Sequence, residues 1–160
     1  MIRKATASDF NFIYELYMHP HVNTFLLYEL TDRDFFLKIF NDLLAGELLF
    51  VFEETGISKG MCKLVPQKHR NAHIVYLGGV AIHPFYNEMG NGTKMMQDII
   101  SYAKQKGFLR IELSVASINE KAIRLYEKVG FVKEGVLKKF TYLKSEDRFL
   151  DEEMMAYLIE

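Results

Sequence analysis

Two short segments carry the residue types and spacings that could do chemistry. In "EMGNGT", Gly90 and Gly92 let the backbone turn and approach a ligand closely, while the amides from about Glu88 to Thr93 lack partners because a helical pattern is just starting. Main-chain amides gathered at the positive end of a helix dipole suit an anion such as a pyrophosphate. The bland alternative is a hairpin, since Asn91-Gly92 is a strong turn signal between strands. The residues that follow have helical period and no strand alternation, which favours the anion site. Further along, "NEKAIRLYEKVGF" puts Asn119 at a helix start and Tyr126 within that helix, where a ligand running off the cradle could meet both.

The flanking periodicity supplies the elements that must position these residues. "IRKAT" reads as a first strand, and Ser8 or Asp9 can cap a helix with Phe12, Ile13, Leu16 and Tyr17 on its apolar face. "HPHVNT" breaks it. A second helix runs from Asp32 to Leu44, through Phe35, Phe36, Ile39, Phe40 and Leu43, and stops at Gly46. Two strands follow around a turn at Thr55 to Lys59, then "AHIVYLGGVAI", where Gly78 and Gly79 mark a bulge or a close approach. A helix from about Thr93 to Lys106 buries Met96, Ile99, Ile100 and Ala103, and Gly107 ends it. After the strand "LRIELSVA" comes the Asn119 helix, with Ile118, Ala122, Leu125 and Val129 at helical intervals before Gly130. Two strands around a polar turn at Ser145 to Asp147 close the chain. The order is a strand, two helices, three mostly antiparallel strands, then strand, helix, strand, helix and two strands, which predicts an α/β sandwich with one curved central sheet.

Composition bounds the function classes. The chain has 160 residues, enough for a single domain over 1–160, with no linker-like tract. Its net charge of −1 and lack of a basic block argue against nucleic acid as a partner. No apolar run reaches membrane-spanning length, and no signal-peptide core opens the chain, so a cytoplasmic location and no membrane partner are expected. Cys62 is the one cysteine and is expected to be a buried, inert thiol. His19 and His21 lack a third ligand nearby, so no metal is expected.

From Val80 to Phe131 the chain resembles the GCN5-related N-acetyltransferases (GNAT). Their pattern is a strand ending near a proline, Gln/Arg-x-x-Gly-x-Gly/Ala, a helix, a strand, and Asn-x-x-Ala-x-x-x-Tyr-x-x-x-Gly-Phe. "NEMGNG" supplies the glycines, and "NEKAIRLYEKVGF" matches the second element throughout. The resemblance implies a mixed, curved central sheet with helices on both faces, and acetyl-CoA as co-substrate with no metal. It also implies that the main chain of Val80, Ala81 and Ile82 pairs with the pantetheine arm, and that the amides of Glu88, Met89, Gly90, Asn91, Gly92 and Thr93 hold the pyrophosphate. Asn119 would bond the pantetheine and Tyr126 would sit beside the sulfur. Asn87 stands where Arg or Gln is usual, and Glu88 and Asn91 replace residues that are often basic, which bears on cofactor affinity. The family's habit of dimerising admits a homodimer.

Acyl transfer needs a neutral amine, an oxyanion donor and a proton for the thiolate. Tyr126 is the natural proton donor, because a phenol with a pKa of about 10 stays protonated at neutral pH; it could instead be a core aromatic, lying close to the apolar stripe. The Val80 amide beside Gly79 is the candidate oxyanion donor. No base is evident: some relatives that acetylate protein N-termini carry Glu five residues before the motif Asn, where this chain has Ser114, and Glu112, two residues earlier on the same strand face, could substitute but better fits a structural ion pair. Freeing a side-chain ammonium of pKa about 10.4 at pH 7.5 costs roughly 4 kcal/mol, against under about 1 kcal/mol for an α-amine. The expected acceptor is therefore the α-amine of an amino acid or peptide, with a polyamine or an antibiotic- or herbicide-type amine as the alternative. Phe25, Tyr28, Tyr76 and Phe140 could line an apolar acceptor pocket or belong to the core. A non-catalytic acyl-CoA-binding module is the competing class. A nucleotide-binding domain is weaker, since the glycines lack a P-loop ending.

Overall fold

Left-handed backbone at Thr55 and Gly56 (φ 51° and 76°) closes a tight hairpin between β2 (Leu49–Glu54) and β3 (Ile57–Pro66). In the computed structural model, which describes residues 1–160, this hairpin belongs to an open, mixed, seven-stranded sheet of order β1-β2-β3-β4-β5-β7-β6. The other strands are β1 (Ile2–Lys4), β4 (Ile74–Ile82), β5 (Arg110–Ala116), β6 (Val132–Leu143) and β7 (Arg148–Leu158), and the helices are α1 (Phe10–Met18), α2 (Arg33–Ala45), α3 (Asn91–Gln105) and α4 (Glu120–Val129). The observed order has one strand fewer than the sequence order, because β4 leads through a short 3-10 turn straight into α3. β4 and β5 pair in parallel, whereas β1-β2, β2-β3, β5-β7 and β6-β7 are antiparallel.

The chain divides into two compact units. The first comprises Met1–Leu64 and Gly79–Met95. Its core gathers Ile13, Leu16 and Tyr17 of α1, Phe36, Phe40 and Leu43 of α2, and Leu49, Val51, Met61 and Ala81 of the strands. Asp32 caps α2 by accepting from the Phe35 amide at 2.8 Å. Phe35 itself is 57% exposed, because it falls off the stripe that Phe36 and Phe40 define. Asp9 is not a side-chain cap for α1. Its buried carboxylate takes the Arg3 guanidinium at 2.8 and 2.9 Å and the Thr6 amide at 2.7 Å, and that ion pair holds it well below the usual carboxylate range.

The second unit comprises Val65–Gly78 and Met96–Glu160. Here β5 alternates as far as Val115: Ile111, Leu113 and Val115 are buried, while Arg110, Glu112 and Ser114 share the half-buried face. In α4 the residue that is buried is Tyr126, while Ile118, expected on the apolar stripe, is 55% exposed. Gly130, at φ 108°, ends that helix in the left-handed conformation a Cβ would strain. β4 and α3 each run through both units.

Candidate active site

In the first unit, the segment from Tyr86 to Thr93 is shaped by two left-handed residues, Glu88 (φ 63°) and Gly90 (φ 75°). The first intrahelical bond of α3 runs from the Lys94 amide to the Gly90 carbonyl at 3.1 Å, so Gly90 stands at the cap position. The amides of Asn91, Gly92 and Thr93 are then the first-turn donors that no helical carbonyl can reach. The helix starts two residues earlier than its sequence period indicates, because Asn91 is buried and its Nδ2 donates to the Tyr86 carbonyl at 2.9 Å. That bond sets Asn91-Gly92 in a helix instead of a hairpin. Open space lies where a Cβ on Gly90 would stand. Glu88 and Met89 are exposed, so the acidic side chain lies toward solvent. These features fit an acetyl-CoA pyrophosphate, which would be held by main-chain amides at the positive end of a fifteen-residue helix.

Val80, Ala81 and Ile82 end β4 in the same unit, just past Gly79 at φ 57°. A Cβ on Gly79 would come within 2.6 Å of the Tyr17 hydroxyl, so the bend admits only glycine. His83 follows the last residue of β4. Its Nε2 lies 3.1 Å from Glu15 Oε1, its Nδ1 accepts from the Phe85 amide, and its ring is 6.3 Å from that of His19. His19 Nδ1 in turn accepts from the His21 amide. No group of three or more His, Cys, Asp or Glu is placed to hold a metal ion. Of the pocket candidates in this unit, Tyr28 packs on Tyr17 and Phe36 at 5.3 and 6.1 Å, and Phe25 is 42% exposed. Lys63 lies 5.5 Å over the Tyr28 ring, and burial lowers the pKa of its ammonium.

In the second unit, Asn119 is the N-cap of α4, its Oδ1 accepting from the Ala122 amide at 3.3 Å. The cap uses the oxygen and leaves the Nδ2 donors out of that bond. Tyr126 is buried and packs on Phe131 with ring centroids 5.9 Å apart, so it is a core aromatic by position whatever else its hydroxyl does. Glu112 is tied to Arg110 at 3.0 Å, as its structural reading anticipates. Phe140, on β6, is largely exposed. Tyr76 and Ser114, considered separately in the sequence, are joined at 3.0 Å, and Ser114 donates to Glu152 at 3.1 Å. Nothing in the sequence signals Glu152, since it reaches Ser114 only through the pairing of β5 with β7.

The family model described as acetyltransferase (GNAT) family matches residues 10–131. N-alpha-acetyltransferase 50 of Danio rerio is 33% identical over 99 residues, covering 59% of this chain and 57% of that protein. Among curated relatives of this kind the chain spans as little as 19% of the relative's length. Spermidine N-acetyltransferase from Vibrio cholerae, solved in complex with CoA and spermine, aligns with a TM-score of 0.85 at 21% identity, covering 99% of this chain and 94% of that one. Ribosomal-protein-alanine N-acetyltransferase from Brucella melitensis aligns with a TM-score of 0.81 at 21% identity, covering 99% of each chain. At these identities the structures speak for the fold. The family model reaches from the first helix to the end of the Asn119 segment, and on that match the chain belongs to the acetyltransferase (GNAT) family.

Proposed function

We propose that this chain is an N-acetyltransferase that moves the acetyl group of acetyl-CoA to the α-amine of an amino acid or a peptide N-terminus. The observation that carries cofactor binding is the trio of first-turn amides at Asn91, Gly92 and Thr93 behind the left-handed Gly90. Bound acetyl-CoA supplies the activated acetyl group. The main chain of Val80, Ala81 and Ile82 would hold its pantetheine arm, as would the Nδ2 donors of Asn119. The Val80 amide would supply a donor for an oxyanion, and Tyr126 a proton for the thiolate. The α-amine preference rests on the position five residues before Asn119, where the side chain is the Ser114 hydroxyl. A hydroxyl is no strong base, and an α-amine needs far less help to lose its proton than a side-chain ammonium. The stretch shared with a relative named as an N-alpha-acetyltransferase supports the same choice.

The test is a thiol-release assay at pH 7.5 with acetyl-CoA and a panel of free amino acids, short peptides, spermidine and Nα-blocked lysine. The highest rates are expected with α-amines. A rate with spermidine or blocked lysine well above every α-amine would refute the acceptor assignment. No release at all, with CoA still bound in a calorimeter, would instead mean a binding module. Gly90→Val puts a branched side chain into the open space at the cradle and should weaken CoA binding while the fold survives.

A further inference from the structure

Five carboxylates lie on β5, β6 and β7, and four of them are held by cations. Glu112 and Glu134 share Arg110, Asp151 takes Lys138, and Glu153 takes Lys133. Glu152 is the exception. Its partners are two hydroxyls, Ser114 of β5 at 3.1 Å and Thr141 of β6. Ser114 has one hydrogen and donates it to Glu152, so its bond to Tyr76 of β4, at 3.0 Å, must have the phenol as donor. The chain Tyr76 → Ser114 → Glu152 therefore points one way, and the Tyr76 oxygen keeps lone pairs that can accept from an incoming N–H.

The strand pairing explains why these three meet. Tyr76 sits opposite Glu112 in the parallel β4-β5 pair, and Ala116 sits opposite Glu152 in the antiparallel β5-β7 pair. Ser114, two residues before the end of β5, occupies the same half-buried face. Ligands of open α/β sheets bind beyond the carboxyl ends of parallel strands, which is the end of β5 that Ser114 and Asn119 occupy.

We propose that Tyr76, Ser114 and Glu152 form a hydroxyl relay that carries the proton of the acceptor amine to the Glu152 carboxylate. The assignment rests on the acetyl-transfer reading above. Before attack, one proton of the acceptor ammonium passes to Tyr76 Oη, which frees the nitrogen lone pair. The tyrosine's own proton passes to Ser114 Oγ, and the serine's to Glu152 Oε2. The carboxylate becomes a neutral acid and later loses the proton to water. As the freed lone pair bonds to the acetyl carbon and the C–S pair leaves on sulfur, the sulfur takes its proton from Tyr126, which is restored by the second N–H proton of the nitrogen. Burial raises the pKa of Glu152, partly offset by the two hydroxyls, which gives it more basicity than a solvated carboxylate. Glu112 on the same face is already neutralised by Arg110, and the charged groups beside Glu152 on its own strand are paired.

The experiment uses the full chain, with Glu152→Gln, Tyr76→Phe and Ser114→Ala, and two acceptors: a peptide α-amine, and hydroxylamine, which is already neutral at pH 7.5. A relay predicts that Glu152→Gln and Tyr76→Phe lower kcat/KM for the peptide by about 100-fold, lose far less with hydroxylamine, and recover as pH rises. A uniform loss with both acceptors, flat in pH, is the mark of a structural role and overturns the relay. Carbon-13 titration of the carboxyls in the CoA-free protein provides a second readout. The Glu152 midpoint should lie above that of an ordinary glutamate and rise further in Ser114→Ala, which removes a bond favouring the anion; an unchanged midpoint overturns the hydrogen-bonded chain. Absence of thiol release from any amine by the wild-type protein would defeat the transfer reading itself, an outcome distinct from a uniform loss among the variants.

Discussion

Tyr126 carries two jobs that one substitution can separate. Its ring is buried against Phe131, so removing the ring would leave a cavity and cost about 3–5 kcal/mol of stability. Tyr126→Phe keeps nearly all of that packing and removes only the hydroxyl. If the hydroxyl protonates the thiolate, the Phe variant should melt within a few degrees of wild type and bind CoA as well, yet turn over about 100-fold more slowly. Steady-state rates beside a thermal melt decide the matter, and a near wild-type kcat in the Phe variant would assign that proton to water. Ser114 makes the complementary point. At this position the chain has a hydroxyl, and the carboxylate that Ser114 touches comes from a different strand.

At the level of elements, α4 joins architecture to binding through one residue. Asn119 spends its oxygen on the helix cap, while its amide donors are the part assigned to the pantetheine. Asn119→Asp keeps a good cap but trades those donors for a carboxylate, so stability should hold while CoA affinity falls. Asn119→Ala should lose both, with about 1 kcal/mol from the cap. Calorimetry and melts on the pair check this, and an Asp variant with unchanged affinity would remove the pantetheine role. The same helix shows what was legible beforehand. Its start at Asn119 and its stop at Gly130 could be read from residue type, as could the limits of α2 from Asp32 and Gly46. Which side of α4 is buried could not, because Tyr126 outweighs the smaller apolar residues at helical spacing around it. The turn at Gly90 ahead of α3 was legible because a glycine before a helical period states its backbone chemistry locally. Glu152 was not, because it meets Ser114 across 38 residues of sequence, and only strand register brings the two together.

On the scale of the whole molecule, contacts concentrate in two units, yet β4 passes from one to the other between Gly78 and Gly79, and α3 does so between Met95 and Met96. Neither unit owns a complete copy of either element. The 160 residues should therefore unfold as one domain, with calorimetric and far-ultraviolet transitions that coincide. Two resolved transitions would show that the units fold separately. Cys62, the one cysteine, lies on β3 with its side chain fully enclosed and its thiol pushed up to about 12 by burial. An alkylating reagent finds almost no thiolate and no path to it while the strand is in place. Labelling of this protein thus keeps time for its own opening: each alkylated molecule records one excursion in which β3 left its neighbours, counted with no residue of the chain changed.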